Sequence, residues 1–338
     1  MGIKTSQPDL LVQPLLMASQ WLKEKRPASV ATVIETWGSA PCPVGSHLLV
    51  DSAANFYGSV SGGCVETDVI TQAMEVIASG FARVLEFGVA DETAWRHGLS
   101  CGGRIRILIT PLTEHYGQID QALGQRCGSC LVTHAETGAQ HLFFEGDDWP
   151  QSFSAPLKSA LQAGKSGLLP QEAENVFVNF YAPRPRLILI GAVHISQNLL
   201  LAAQLTNFDV TILDPRTAFA TKERFGEADL HTMWPQDYFA DNPIDNHTAV
   251  AALTHDPKID DPALMEAIRK KAFYIGALGS RKTHAKRIDR FYKAGFSQAD
   301  CALIHAPIGL DIKAQGPAEI SIAVLAQIIA AYRNRSSE

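Results

Sequence analysis

The sequence predicts an α/β protein of two domains, an N-terminal mixed α/β domain and a C-terminal Rossmann-like domain built on a parallel sheet. The chain has 338 residues, about the length of two average domains. Its second half alternates short apolar runs with amphipathic helical patterns, which is typical of βαβ units around a buried parallel sheet. Its first half carries hairpin patterns instead. We place the domains at residues 1–182, which include a linker, and 183–338.

The elements of the first domain follow from hydrophobic periodicity and turn residues. In the helix predicted over 65–79, Val69, Ala73 and Val76 recur at helical spacing. Gly80 suits the position just past its end. In chain order we predict a helix over 9–24, strands over 29–35, 47–51 and 56–60, the helix over 65–79, strands over 83–87 and 104–109, and a hairpin over 130–144. Residues 145–182 are predicted to form the rim of the domain and its linker.

The predicted strands of the second domain are apolar along almost their whole length, as in the run from Arg186 to Ile190. Strands read this way when helices cover both faces of their sheet. In chain order the prediction is a strand over 186–190, a helix to about residue 205, strands over 209–214 and 249–253, a helix over 262–271, a strand over 273–278, a helix over 282–294, a strand over 301–305 and a helix over 317–332.

Composition and charge exclude several classes of protein. Hydrophobic residues make up 46% of the chain and charged residues 19%, which is enough apolar material for packed cores. The net charge is −6 without a dense basic tract, so we predict no nucleic-acid partner. The longest apolar stretch, 320–331, is shorter than the roughly 20 residues that span a bilayer, and residues 1–8 are polar. We therefore expect no membrane segment, no signal peptide, and six thiol cysteines in a cytoplasmic protein.

The loops of the second domain predict a binding crevice. In an open parallel sheet every strand-to-helix loop leaves at the carboxyl edge, and ligands bind there. Five such loops are rich in glycine or polar residues: Gly191–His194, Asp214–Arg216, Thr254–Asp256, Gly279–Arg281 and Pro307–Asp311. The predicted cofactor-binding residues of this edge are Gly191, His194, Asp214, Arg216, His255, Asp256, Gly279, Ser280, Arg281 and Asp311.

The Gly279–Arg281 loop is suited to a phosphate. Backbone N–H groups and the positive end of a helix dipole favour an anion there, and Arg281 adds charge. The alternative is that Ser280 only caps the helix, while Arg281, Lys282 and Lys286 form a solvated face.

A dinucleotide site fits less well. The expected G-x-G-x-x-G pattern needs three glycines after the first strand and an acid about 20 residues later. Gly191 and Asp214 match that pattern, but Val193 and Ser196 stand at the second and third glycine positions. A side chain at the second position lies where the pyrophosphate approaches the backbone. We therefore predict that NAD(P) is not the ligand.

Cys64 is a candidate reactive thiol of the first domain. It follows Gly62 and Gly63 and precedes a predicted helix, whose N-terminus favours a thiolate. Glu66 and Asp68 in the first turn act in the opposite direction, so the sequence leaves the net effect open.

Cys101 is the second candidate, because Gly102 and Gly103 follow it on another permissive loop. Thiols in such positions accept a sulfur atom or bind a soft metal. The alternative is that Cys64 and Cys101 pack as small hydrophobic side chains, as free cysteines usually do.

These motifs together resemble those of the xanthine dehydrogenase accessory (XdhC/CoxI) family over most of the chain. The matching segments of the first domain are Gly38–Pro41 with Val44–Gly45, Gly58–Glu66 and Cys101–Gly103. Those of the second domain are Gly191–Ser196, Asp214–Arg216, Leu253–Asp256, Tyr274–Arg281 and Pro307–Ile312. The order and spacing of so many short motifs make the resemblance specific.

The resemblance implies an accessory protein that binds the molybdenum cofactor (molybdopterin) transiently and delivers it to a xanthine dehydrogenase-type molybdenum hydroxylase. It also implies a cysteine desulfurase partner that supports sulfuration, and a homodimer without turnover of its own. On this analogy Cys64 and Cys101 are the catalytic and metal-contacting residues. The flanking residues Gly62, Gly63, Glu66, Gly102 and Gly103 would then contact the cofactor.

Four positions depart from the family pattern. Cys42 stands where an arginine is common, Val193 replaces a glycine, and Lys313 and Gln315 alter the stretch after Asp311.

Two other functions stay open at this point. One is a nucleotide- or NAD(P)-dependent oxidoreductase that uses the Rossmann-like domain. The other is a metal-dependent hydrolase or binding module that uses His194, His255, Asp256 and Asp311.

Overall fold

The computed structural model describes residues 12–38, 42–88, 103–148, 165–169 and 175–334. The chain divides into two compact units, unit 1 at residues 1–183 and unit 2 at residues 184–338. Unit 1 contains two antiparallel sheets with helices, and unit 2 contains one parallel sheet between helices. The predicted fold class, a mixed α/β half followed by a Rossmann-like parallel-sheet half, is confirmed. Within the described residues, no helix combines the length and apolar character needed to cross a bilayer.

The described part of unit 1 runs from a helix to a strand. Its described elements are α1 (Val12–Lys23), β1 (Ala28–Trp37), β2 (His47–Asp51), β3 (Phe56–Gly58), α2 (Glu66–Ser79), β4 (Arg83–Phe87), β5 (Arg104–Pro111), α3 (Glu114–Gly124), β6 (Ser129–His134), β7 (Gln140–Phe144), β8 (Gly167–Leu168) and β9 (Val176–Tyr181).

The two sheets of unit 1 are wholly antiparallel. One has the strand order β3-β2-β1-β5-β4 and the other the order β7-β6-β9-β8. α2 packs Val69, Ala73 and Val76 into the same buried cluster as Ala31 and Val33 of β1. This cluster places the N-terminus of α2, and the glycine-rich loop before it, at one end of the first sheet.

Three elements of unit 1 differ from the sequence-based expectation. α3 was not predicted, and β8 and β9 lie inside the segment predicted as rim and linker. β9 pairs with β6, with Asn179 opposite Leu131, and buries Phe177 and Val178. Its partner strand is more than 40 residues away in the chain, and local periodicity does not reveal such a non-local pairing.

Unit 2 alternates strands and helices. Its described elements are β10 (Arg186–Ile190), α4 (His194–Leu205), β11 (Asp209–Leu213), α5 (Lys222–Phe225), β12 (Asp229–His231), α6 (Pro235–Asp241), β13 (Thr248–Ala252), α7 (Pro257–Arg269), β14 (Tyr274–Ala277), α8 (Arg281–Lys293), α9 (Gln298–Ala302), β15 (Ile304–His305) and α10 (Gly316–Asn334).

The sheet of unit 2 has the order β12-β11-β10-β13-β14-β15, and all neighbouring strands are parallel. This is the order of a Rossmann fold. Leu187 and Leu189 of β10 face the cluster formed with α4 and α10, whereas Ile188 and Ile190 face the cluster formed with α6 and α7. Burial on both faces explains why the strands are apolar throughout.

Two predicted boundaries in unit 2 are wrong, and α5, β12, α6 and α9 were not predicted. α7 begins at Pro257, five residues before the predicted start, because Asp256 caps it and proline suits its first turn. The strand predicted over 301–305 is shorter, since Cys301 lies in α9, where Ser297 and Asp300 form a capping box. The polar capping residues set these ends more strongly than the apolar run that follows.

Candidate functional site

The crevice of unit 2 lies where the strand order reverses, between β10 and β13. Gly191 follows β10 and Thr254 follows shortly after β13. A Cβ atom built on Gly191 would lie 2.7 Å from Cγ2 of Thr254, and the φ angle of Gly191 is +117°. Both the close approach and the backbone conformation therefore require glycine at this position. Val193, two residues later, has a φ of −103° and packs against the core, so its side chain is accommodated.

Asp214 fixes the Gly191 loop from the neighbouring strand. It is fully buried and accepts a hydrogen bond from the N–H of Ala192 at 2.8 Å. Arg216 binds both its oxygens, with Nε at 2.9 Å and Nη2 at 2.8 Å, and its guanidinium stacks on Phe219 at 4.2 Å. Burial alone would raise the pKa of Asp214, but the Arg216 and Ala192 hydrogen bonds lower it. A ribose hydroxyl at Asp214 would have to displace these donors.

The Thr254–Asp256 loop is held by a buried carboxylate. Asp260 Oδ1 accepts hydrogen bonds from Thr254 Oγ1 at 2.7 Å and from the Thr254 N–H at 3.3 Å. Thr254 Oγ1 in turn accepts from the N–H of Asp256 at 2.9 Å, and Asp256 caps α7 through the N–H of Lys258. His255 between them is exposed and has a φ of +64°. The loop is therefore fixed from below while His255 points to solvent.

A second buried charge lies beneath the next loop. Arg287 of α8 is 2% exposed and donates from Nη2 to the carbonyl of Leu278 at 3.4 Å. Its Nη2 lies 3.9 Å from Asp260 Oδ2, and its Nε lies 3.4 Å from Asp261 Oδ1. Burial raises the pKa of Asp260. Among the described residues, Asp260 Oδ2 and Arg287 Nη1 make no hydrogen bond, so this contact is loose.

The Gly279–Arg281 loop begins α8. Gly279 has a φ of +138°, and Ser280 caps the helix by accepting from the N–H of Thr283 at 3.2 Å. Arg281 is exposed, and the first turn of α8 contains no acidic residue. Ser280 thus has the capping role of the alternative interpretation, which leaves the positive end of the helix open to an anion.

The other polar residues of the edge are exposed. His194 is the first residue of α4. Asp311 forms an ion pair with Lys313, whose Nζ lies 2.8 Å from Oδ2 of Asp311. The hydrogen bond and charge of Lys313, together with the charge of Arg281, lower the pKa of Asp311. Unit 2 therefore brings the predicted residues to one edge in two groups. Gly191, Asp214 and Arg216 fix the backbone, whereas His194, His255, Arg281 and Asp311 are accessible.

In unit 1, Glu66 organises the loop that precedes α2. Its carboxylate accepts hydrogen bonds from Ser59 Oγ at 2.6 Å, from the N–H groups of Ser61 and Gly63 at 2.9 Å each, and from Ser61 Oγ. Burial would raise the pKa of Glu66, but these donors lower it to about 2. The carboxylate is therefore ionised and committed to the loop, whatever further contact it makes with a ligand.

Cys64 lies on this loop and is half-buried. Its N–H donates to Ser61 Oγ at 3.0 Å, and its side chain packs beside the cluster under α2. Gly62 and Gly63 are exposed, with φ angles of +71° and +109°. The thiol is thus presented by a turn that glycine makes accessible.

A second thiol lies beneath the same loop. Cys42 is 2% exposed, and its Sγ donates to Ser59 Oγ at 3.8 Å. Burial raises the pKa of Cys42. Cys101 and Gly102 lie outside the described residues, and Gly103 is buried just before β5.

A buried histidine supports the loop from the sheet. His47 Nδ1 lies 2.9 Å from Thr32 Oγ1 and Nε2 lies 2.9 Å from the hydroxyl of Tyr181. Its backbone carbonyl accepts from the N–H of Ser59 at 3.0 Å. Burial lowers the pKa of His47 to about 4, so the ring is neutral near pH 7.

The alternative function of the second domain, a metal-dependent hydrolase or binding module, would need a cluster of metal-ligating side chains. Within the described ranges, no three His, Cys, Asp or Glu side chains are grouped in a way that could hold a metal ion.

The pattern of loops and the strand order of unit 2 agree with comparisons to known proteins. The XdhC Rossmann domain model matches residues 187–328, and the XdhC and CoxI family model matches residues 21–88. The chain belongs to the XdhC and CoxI family. The family resemblance stated from the sequence is therefore confirmed.

Two relatives within the XdhC and CoxI family cover nearly the whole chain. A probable xanthine dehydrogenase subunit of Bacillus subtilis (strain 168) is 28% identical over 328 residues, or 93% of this chain and 96% of that protein. Molybdenum cofactor insertion chaperone PaoD of Escherichia coli (strain K12) is 28% identical over 320 residues, or 93% of this chain and 86% of that protein.

A solved structure shows the same arrangement of elements. The crystal structure of a xanthine dehydrogenase from Bacillus halodurans matches with a TM-score of 0.67 and 25% identity, over 95% of this chain and 96% of that chain. The fold of this XdhC and CoxI family member is thus shared along its length.

Sequence reasoning missed the residues that fix the loops. Asp260 and Arg287 lie inside helices, where charged residues usually face solvent. Ser59 lies near the end of a predicted strand and Ser61 only within the Gly58–Glu66 motif, and the sequence assigns a role to neither. The signal that would have identified Glu66 as a loop anchor is its position shortly after two serines and two glycines, because their donors need an acceptor.

Proposed function

We propose that this chain is an insertion chaperone that binds the molybdenum cofactor as cargo and delivers it to a xanthine dehydrogenase-type molybdenum hydroxylase. One observation carries the proposal: the carboxyl edge of unit 2 has a backbone fixed by its own buried carboxylates, while its cationic and polar side chains remain accessible. A preformed polar crevice suits a cargo that must be held and then released. The likeness to the Escherichia coli chaperone over most of the chain supports this assignment.

The residues present fit the chemistry of such a cargo. Its phosphate would bind at the N-terminus of α8, where Gly279, Ser280 and Arg281 supply N–H groups and a positive charge. The polar edges of its pterin would bind the accessible side chains of His194, His255 and Asp311, and the partly exposed carboxylate of Asp256 that caps α7. Gly191, Asp214 and Arg216 would hold the loop that borders it.

We propose that the thiols of unit 1 handle sulfur. Cys64 is half-buried on a fixed loop, and Cys101 shares its glycine-rich context in the sequence. A thiolate of Cys64 or Cys101 would attack the outer sulfur of a persulfide on the cysteine desulfurase, so that a new S–S bond forms on this chain while the S–S bond of the desulfurase breaks and leaves its thiolate. The exposed Gly62 and Gly63 leave access to Cys64, and Gly102 and Gly103 flank Cys101 in the sequence. Family resemblance supports a homodimer in the cytoplasm that has no turnover of its own.

Cargo binding is tested by equilibrium dialysis under anaerobic conditions. The full chain is dialysed against molybdopterin released from a carrier, and retention is compared for wild type and Arg281→Ala. The matched control is Arg269→Ala, because Arg269 is also exposed and lies on the neighbouring helix. We expect wild type and the control to retain molybdopterin and Arg281→Ala to retain about 10-fold less, as expected for a lost charged contact. Absence of retention by the wild type would refute the proposal.

The thiol assignment needs its own comparison. Cys64→Ala and Cys101→Ala are expected to lower the sulfur transferred from a desulfurase and cysteine to the molybdenum of the bound cofactor. Cys127→Ala is the control, because Cys127 is also partly exposed. Unchanged sulfur transfer in both variants would show that neither thiol takes part in sulfur transfer. It would leave the proposal of cargo binding untouched.

A further inference from the structure

α8 has an uneven charge. Six of its 13 residues are Arg or Lys and one, Asp289, is acidic, although the net charge of the chain is −6. Arg287 is buried, and Arg290 forms an ion pair with Asp261 at 2.5 Å. The other four cations are exposed, and no carboxylate of the described residues forms an ion pair with them. These four, the basic face of α8, are Arg281, Lys282, Lys286 and Lys293.

The basic face starts at the mouth of the crevice. Arg281 and Lys282 follow directly after the Gly279 loop at the carboxyl edge of the sheet. Lys286 and Lys293 continue along the helix, which extends for about 20 Å. Tyr292 lies among them and is 48% exposed. An exposed tyrosine beside cations is typical of a protein-binding surface.

Helix stability does not explain this charge. Arg281 and Lys282 occupy the first turn, where the macrodipole disfavours cations, and that turn contains no acidic residue, although Asp311 from another loop interacts with the charge of Arg281. Lys282 and Lys286 are four residues apart and repel each other. Lys293 lies in the last turn, where the dipole favours a cation, but Lys282 and Lys286 are kept at a cost to the helix, which points to a role outside it.

We propose that the basic face of α8 is the docking surface for an acidic face of the molybdenum hydroxylase, an inference that rests on the proposed function. Charge complementarity selects this occupant, because four unpaired cations stand out on an otherwise acidic chain. The acidic remainder of the chain disfavours an extended polyanion such as DNA or an anionic membrane. A hydroxylase docked along α8 would place its own cofactor entrance beside the Gly279 loop.

The test measures binding to the hydroxylase purified without its cofactor. That enzyme is immobilised, and full-length chaperone is passed over it at salt concentrations of about 0.01 M and about 1 M. Wild type is compared with Lys282→Glu/Lys286→Glu. The control, Lys270→Glu/Lys271→Glu, makes the same charge change on exposed lysines between α7 and β14, at the opposite edge of the sheet. Circular dichroism confirms that both variants fold.

The α8 variant is expected to associate at least about 10-fold more slowly at low salt, with little change in dissociation, and the difference should vanish at high salt. The control should associate within about threefold of wild type. Equal rates for the wild type and the α8 variant would overturn the docking surface and leave the chaperone function standing. No binding by wild type at either salt would overturn the delivery function itself. Wild type and the α8 variant are also tested for binding to phosphatidylserine vesicles and to duplex DNA. If wild type binds either one and the α8 variant does not, the basic face of α8 is a membrane or nucleic-acid surface and the proposal is overturned.

Discussion

Replacing Glu66 with glutamine should loosen the loop that presents Cys64. The carboxylate is the common acceptor for the side chains of Ser59 and Ser61 and for the N–H of Gly63. In Glu66→Gln an amide nitrogen replaces one of its two oxygens. A donor then faces donors on that side, so at least two hydrogen bonds are lost without a change in side-chain volume.

The pKa gives the magnitude. The fold lowers the pKa of Glu66 from 4.5 to about 2, which favours the ionised form by about 3–4 kcal/mol, or about 2–3 kcal/mol once screening of this partly exposed group is allowed for. Counting lost bonds gives a similar figure, since each bond to a charged acceptor contributes about 1.5–3 kcal/mol and exposure lowers it. We expect Glu66→Gln to reduce the free energy of unfolding of unit 1 by about 2–3 kcal/mol at pH 7.

Urea unfolding measures this effect if the signal comes from unit 1 alone. Four of the five tryptophans lie in residues 1–183, and Trp234 is the one in unit 2. Fluorescence in a Trp234→Phe background therefore follows unit 1. Glu75→Gln is the control, because Glu75 lies on the same helix but its side chain is 52% exposed and pairs with Arg83. An exposed pair of this kind contributes about 0.5 kcal/mol.

The pH dependence gives a second test. The folded pKa of Glu66 is depressed, so its stabilisation is fully present above about pH 4.5 and is lost as the pH falls towards 2. The gap between wild type and Glu66→Gln should therefore shrink over that window. A gap below about 1 kcal/mol at pH 7, or one that stays constant down to pH 3, would show that the carboxylate does not organise the loop.

Three further predictions concern buried groups. His47 has a pKa of about 4 in the folded chain against an unfolded value near 6.5, so the free energy of unfolding of unit 1 should fall by up to about 3 kcal/mol as the pH drops from 6.5 to 4. Urea unfolding at several pH values measures this dependence. His47→Gln should flatten the plot of unfolding free energy against pH, and an unchanged slope would contradict the prediction. Gly191→Ala should lower the free energy of unfolding of unit 2 by about 2 kcal/mol or more in thermal unfolding, because its φ angle is positive and a Cβ atom would clash with Thr254. Gly295→Ala is the control: Gly295 also has a positive φ but has open space around it, so this variant should lose less stability. Equal losses in the two variants would refute the clash with Thr254. Thr254→Val should destabilise unit 2 by about 1–3 kcal/mol in the same assay, because it removes the hydroxyl that donates to the buried carboxylate of Asp260. Thr254→Ser keeps the hydroxyl and should retain most of the stability. A serine variant as unstable as the valine variant would show that this hydrogen bond does not stabilise the loop.

Periodicity in the sequence predicted the parallel sheet of unit 2 except for its edge strand β12. Strands such as β10 are apolar because both faces are covered, and this property is local. β9 could not be found in the same way, because its pairing with β6 depends on residues more than 40 positions away. The start of α7 was missed because the cap at Asp256 outweighs the apolar pattern.

The candidate site was predictable as a set of loops but not as a set of roles. Chain order and parallel topology place Gly191, Asp214 and Arg281 at one edge without knowledge of any contact. Whether a polar residue faces a ligand or its own backbone depends on neighbours distant in sequence. Asp214 illustrates this, since its partner Ala192 is 22 residues away.

The structure separates the residues that fix the site from those that are accessible to a ligand. Glu66, Asp214 and Asp260 each serve as the acceptor for the donors of one loop, and all three are at least partly buried. Because hydrogen bonds within the chain itself hold these loops, we expect the entropy cost of ordering them on binding to be small. Substitution of these carboxylates should therefore change stability first, whereas substitution of Arg281 or Cys64 should change retention or sulfur transfer at unchanged stability. A chaperone needs this separation, because the cargo must leave without unfolding the site that held it.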